Sequence, residues 1–152
     1  MIKKLFLFSA LILLVNCGYE SVYVKKDNSL IKIGKINLKG DKKINRKILS
    51  SSGIKETSNI TNSYLLVLNS KKNKEIVSKN SAGNATSYKI SINVDISIID
   101  PIDGKIIKSK MFSSSFTYNN NENKFQLSQD EKNILNNLIE STSKKVVFYL
   151  SL

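Results

Sequence analysis

The chain has 152 residues, with 24 lysines and arginines against 12 acids, a formal net charge of +12, one cysteine and no histidine. That length supports one hydrophobic core rather than two, and the excess of cations suits an anionic partner: nucleic acid, an acidic membrane surface or a phosphorylated glycolipid. Without histidine, a zinc site, a Ser-His-Asp triad and a Cys-His pair are all out of reach, so no catalytic role and no cofactor is expected.

The first residues read as an export signal. Lys3 and Lys4 form a positive n-region, and Leu5 to Val15 is an apolar run interrupted only at Ser9 and Ala10. The run has h-region length and is too short to cross a bilayer as a helix. It closes on Leu14-Val15-Asn16-Cys17-Gly18, with a leucine three residues before the cysteine. This resembles a lipobox, although Asn16 is larger than the usual glycine, alanine or serine. Residues 1–16 are thus expected to be removed as a signal peptide, Cys17 to be lipidated, and residues 17–29 to tether a single domain at 30–152. Each buried methylene contributes about 0.8 kcal/mol and one acyl chain binds a membrane only marginally, so a diacylglycerol plus an amide-linked chain makes attachment lasting. With Cys17 used as the anchor, no thiol remains for a disulfide, a metal or a nucleophile.

Loss of Lys3 and Lys4 with the signal reduces the charge from +12 to +10, and export removes most of the case for nucleic acid. The cations are nearly all lysine, with Arg46 the lone arginine, among abundant asparagine and isoleucine. Part of the charge therefore reads as the coding bias of an AT-rich genome on solvated faces.

Along the domain, Leu30 to Leu38 alternates in two registers about Gly34, as a strand with a bulge or kink would. Asp41 to Leu49 spaces Ile44, Ile48 and Leu49 helically behind an aspartate N-cap, and Ser50-Ser51-Ser52-Gly53 ends that helix. Ser63 to Ser70 is apolar on both faces and should be buried in a sheet, whereas its lysine-rich continuation to Val77 should protrude. Tyr88, Ile90, Ile92, Val94, Ile96 and Ile98 occupy every second position, giving a strand with one dry and one wet face. Asp100 to Gly104 is a turn, and Ile106 to Tyr118 returns as a strand to complete a long hairpin. After the polar Asn119 to Asn123 loop, a capping box at Ser128 and Glu131 should open a second helix, with Ile134, Leu135, Leu138, Ile139, Val146 and Leu150 as its apolar stripe. The order β-α-β-β-β-α predicts an α+β two-layer sandwich: a four-stranded, mostly antiparallel sheet with both helices on one face.

The remaining chemistry is sparse. Asp100 and Asp103 lie on a turn and should accept from backbone amides, while Asp130 and Glu131 open a helix where the dipole favours negative charge. Gly83 and Gly104 are isolated turn glycines rather than a phosphate loop. Nothing singles out a Ser/Lys dyad.

Cys17-Gly18-Tyr19 after the signal, Asn84-Ala85-Thr86-Ser87-Tyr88 entering an alternating strand, the hairpin through Asp100 to Gly104, and Phe112-Ser113-Ser114-Ser115-Phe116 leading to a C-terminal helix together resemble LptE, the lipopolysaccharide-assembly lipoprotein family of Gram-negative outer membranes. The resemblance implies a non-enzymatic plug inside an LptD β-barrel, in one-to-one complex, that helps the barrel mature and contacts lipopolysaccharide. By the same resemblance, Gly18 rather than an acid after the cysteine fits transport to the outer membrane.

Lipid A phosphates need cations, and Lys79, Lys89, Lys105, Lys108 and Lys110 fall at or near the ends and wet face of the later strands, where lysine acts as a point charge. These lysines also read as gatekeepers against sheet-to-sheet aggregation. Ser81 to Thr86 is a second candidate contact region, or only a loop. A contrasting reading is a solitary periplasmic lipoprotein that binds a lipid or soluble ligand, such as an auxiliary subunit of an ABC transporter, and it requires a concave apolar pocket.

Overall fold

A computed structural model describes residues 32–58 and 63–151. Its elements run β1 (Ile33–Gly40), α1 (Lys42–Ser52), β2 (Tyr64–Lys79), β3 (Ala85–Ile99), β4 (Ile106–Asn119) and α2 (Lys124–Ser151), and the strands lie in the order β1-β2-β3-β4. β1 pairs with β2 in parallel, with α1 in the crossover, and the other pairs are antiparallel. The alternation of β3 decides the layers. Ile90, Ile92, Val94, Ile96 and Ile98 are all buried, and they join Leu66 and Leu68 of β2, Ile44 and Ile48 of α1, and Leu138, Ile139 and Val146 of α2 in one cluster. Both helices therefore cover the same face of the sheet, as the binary pattern predicts.

Local signals explain the joints. At Gly34 the β1–β2 register shifts, and a Cβ there would stand 2.1 Å from Ser63 Oγ. Asp41 caps α1, its carboxylate accepting from the Lys43 and Ile44 amides at 3.0 Å, and Gly53 closes the helix by donating to the Leu49 carbonyl. The β1–α1 corner is pinned to β2: the Asp41 N–H donates to the Ser70 carbonyl at 2.8 Å and Ser70 Oγ donates to the Asp41 carbonyl at 3.0 Å. Gly40 passes so close, at φ 70°, that a Cβ would lie 2.2 Å from the Ser70 carbonyl oxygen. Beside it, fully buried Asn45 donates to the Lys39 carbonyl at 2.6 Å.

Two expectations change. α2 begins at Lys124, one turn before the Ser128–Glu131 box, because Asn123 is the cap: its Oδ1 accepts from the Phe125 and Gln126 amides at 3.1 Å. Buried Leu127 carries the apolar stripe into this extra turn, and Glu131 points to the sheet instead of back to Ser128. The stripe is also interrupted by buried Thr142 and Ser143, which bond to Ser114 Oγ and to the Ile139 carbonyl. The signal peptide, Cys17 and the tether lie outside the described residues.

Candidate interaction surface

The face of the sheet turned away from the helices is built by the second set of alternating positions. It carries Lys35, Asn37 and Lys39 from β1, then Asn69, Lys71, Asn73 and Glu75 from β2. From β3 and β4 come Lys89, Ser91, Asn93, Asp95 and Ser97, and Ser109, exposed Met111, Ser113, Ser115 and Thr117. Half-buried Leu65, Val67 and Ile99 add an apolar corner. Most of these side chains are short and hydrogen-bonding, and the basic ones outnumber Glu75 and Asp95. Such a surface can meet another polar wall through many weak contacts, or receive an anionic group.

The five proposed phosphate lysines fall into separate places. Lys89 stands on the open face beside Glu75, Nζ to Oε1 3.3 Å. Lys79 ends β2 at the hairpin tip, whose turn is ordered by Asn80 Oδ1 accepting from the Ala82 and Asn84 amides. Residues 81–86 are thus the β2–β3 turn and the first part of β3. At the other end, Lys105 leaves the turn in which Asp100 and Asp103 accept from the Ile102 and Lys105 amides, as expected. Lys108 and Lys110 differ from expectation: their positions oppose Ile98 and Ile96, so they lie on the helix side rather than the wet face. Lys108 Nζ donates to the Tyr149 carbonyl at 2.8 Å, complementing the C-terminal end of α2, and Lys110 Nζ is 5.3 Å from the Tyr149 ring centre. About nine residues of β3 separate Lys89 from the Lys108 position, roughly 30 Å at strand rise, so the five lysines form two groups and not one site.

The distal half of the hairpin carries a network the sequence reading missed. Lys74 Nζ meets Glu131 Oε1 at 2.5 Å, the Tyr118 hydroxyl donates to the same oxygen at 2.8 Å, and Lys74 also lies 4.3 Å above the Tyr88 ring. Burial pushes the Tyr118 hydroxyl well above its ordinary value, and its bond to Glu131 adds to the rise. For Glu131, partial burial acts to raise the carboxyl, but hydrogen bonds from Lys74 and Tyr118 and the nearby Lys74 and Lys72 charges outweigh it and hold the group below the usual carboxylate range. The signal was present in the sequence: Lys72, Lys74 and Ile76 continue the parity of Leu66, Leu68 and Ser70, so they face α2.

Residues 21–150 match the family model of LptE, lipopolysaccharide-assembly. The chain belongs to the LptE family. It is thus one of a family of non-enzymatic, membrane-associated lipoproteins of lipopolysaccharide assembly. The fold of this LptE chain is shared by rare lipoprotein B from Shewanella oneidensis, at TM-score 0.57 and 14% identity over 74% of this chain and 90% of that one. It is shared also by a minor lipoprotein from Acinetobacter baumannii, at TM-score 0.59 and 15% identity over 80% and 92%. A putative lipoprotein from Caulobacter crescentus aligns at TM-score 0.54 and 12% identity over 79% and 88%. No curated protein matches the sequence. Among the described residues of this LptE domain, no helix is long and apolar enough to cross a membrane, and no three acidic, cysteine or histidine side chains gather as a metal site would require.

Proposed function

We propose that this LptE-family chain loses residues 1–16, is anchored through lipidated Cys17 and the 17–29 tether at the periplasmic face of the outer membrane, and holds its domain, residues 30–152, as a plug in an LptD-type β-barrel. There it supports assembly of the barrel and assists passage of lipopolysaccharide to the cell surface. Family membership gives the process, and one observation carries the mechanical reading: among the described residues no element covers the second face of the sheet, and that face is lined mostly by serine, asparagine, threonine and lysine, with Leu65, Val67, Ile99 and Met111 as its apolar part. A wide barrel presents a polar interior, which such a face fits through many hydrogen bonds.

In this reading lipopolysaccharide phosphates meet Lys89 on the open face and Lys79 and Lys105 at its ends. Lys108 and Lys110 form a separate cationic pair beside α2. The solitary-lipoprotein alternative needs a concave apolar pocket, and the open cleft between β4 and α2 is lined by Lys110 and Lys145 as well as by aromatic rings.

The deciding experiment purifies the tagged full chain from detergent-solubilised outer membranes. The expected result is a one-to-one complex with an LptD-type barrel, and an N-terminal peptide that mass spectrometry finds acylated on Cys17. A chain recovered without any barrel, or with an unmodified Cys17 or an intact leader, overturns the proposal.

A further inference from the structure

The two edges of the sheet are finished differently. Along β1, Glu56 Oε1 accepts from the Ile36 N–H at 2.8 Å and the Thr57 N–H donates to the Ile33 carbonyl at 2.8 Å, so residues 54–57 cover that edge. At β4, among the described residues, the backbone groups turned away from β3 bond to nothing. This strand has 14 residues, no proline and no acid, and only Phe112 is buried. Sheets ordinarily blunt such an edge with proline, a bulge or lysines standing on the rim. Here the one register shift falls at Ile107, near the start of the strand, and beyond it Lys108 and Lys110 lean onto Tyr149 and leave the rim from Lys108 to Asn119 open. Next to the edge, a cleft of about 400 Å³ runs between Lys110–Ser113 and the side chains of Lys145, Phe148 and Tyr149, with Phe148 66% exposed, while Met111, opposite Asp95, belongs to the other face of the sheet.

We propose that the β4 edge is a strand-addition site, which takes an extended acidic segment of a partner protein as a fifth strand and rests its alternate side chains in the cleft. In strand addition, main-chain hydrogen bonds supply affinity and pockets for every second side chain supply selectivity. Carboxylates of the added strand meet Lys110 and Lys145, and its apolar residues cover Phe112, Phe148 and Tyr149. Charge decides the occupant. A second copy of β4 would bring Lys108 and Lys110 and no acid, setting cations near cations, whereas an acidic strand is complementary. The site goes beyond the barrel-plug reading and stands or falls apart from it.

The test uses the purified full chain in detergent with a short peptide whose every second residue is by turns glutamate and valine, with serine at the positions between, so that both side-chain types can face the helix side. Residue-resolved hydrogen exchange should show the peptide protecting amides of β4, and a lysine-valine peptide should protect none. Two N-methylated versions, blocked on opposite edges of the peptide strand, separate backbone pairing from side-chain contact. One should lose binding and the other keep it. Lys110→Glu and Lys145→Glu should each weaken binding about tenfold. Equal binding of both methylated peptides overturns the proposal, as does equal binding of the lysine peptide. So does protection of β1 instead of β4, or β4 protection in a dimer of the chain without peptide. Protection of β4 by phosphoglycolipid micelles alone, unaffected by the peptide, also overturns it. None of these outcomes bears on whether a barrel copurifies.

Discussion

The two ends of the β2–β3 hairpin are held by different forces. At one end Leu66, Leu68 and Ser70 face the helices beside Ile98, Ile96 and Val94, and none of the six is more than 2% exposed. Further along the same row stand Lys72, Lys74 and Ile76, beside Ile92, Ile90 and Tyr88, and there the bonds among Lys74, Glu131 and Tyr118 tie α2 to the sheet. Hydrocarbon burial is non-directional and is not subject to ionic screening, while partly exposed ionic contacts are directional and screened. A continuous strand pair can thus have an end that opens only with the whole domain and an end that opens by itself.

The sharpest way to break this distinction is to truncate one isoleucine at each end. Ile96→Ala should cost about 3 kcal/mol, because the site is fully buried between the sheet and the helices, whereas Ile76→Ala, 51% exposed in the native chain, should cost less than about 1 kcal/mol. Urea unfolding followed by circular dichroism measures both, and equal losses would erase the difference between the ends. Gly40→Ala should come next, at about 2 kcal/mol, from a left-handed backbone angle and a clash with the Ser70 carbonyl that undocks the β1–α1 corner from the packed end. Asp41→Ala at the same corner should cost about 1 kcal/mol, the loss of a helix cap, in the same unfolding assay.

How much of this was legible follows from the range of the signals. The alternating run in β3, the aspartate cap and glycine stop of α1, and the Asp100–Gly104 turn are written over neighbouring residues, and the fold they imply is the one observed. The start of α2 was misplaced because two capping signals compete: Ser128 with Glu131 fits a capping box, but Asn123 one turn earlier captures two amides and Glu131 is drawn to Lys74 and Tyr118 across the sheet. The placement of Lys108 and Lys110 failed for a related reason. Their parity joins them to Phe112, yet lysine on a strand reads as a wet position until the carbonyl of Tyr149 and its ring are known to lie opposite. Contacts between residues 41 positions apart leave no local trace.

The smallest predicted effect distinguishes the ends by their response to acid. Because the folded Glu131 carboxyl titrates below its unfolded value, its contribution is present above the ordinary carboxylate range and is lost as pH falls through the lowered folded value. Glu140 is also held low, by its hydrogen bond with Lys144, but that pair lies on the exposed side of α2 and leaves the hairpin untouched. Acid should therefore loosen the first turns of α2 and the distal hairpin before the Ile96 layer, where Leu68, Ile96 and Lys110 bring no carboxyl to the helix side. Glu131→Gln keeps an acceptor oxygen for Lys74 and Tyr118 but removes the charge, so it should cost less than about 1 kcal/mol at neutral pH and flatten this acid response. Hydrogen exchange should show faster opening around residues 74–90 and 124–131 at neutral pH, with Ile92 to Ile98 unchanged. Uniform acceleration along β3 would mean that the ionic end and the hydrocarbon end open together, and that the network at Glu131 is part of the global core.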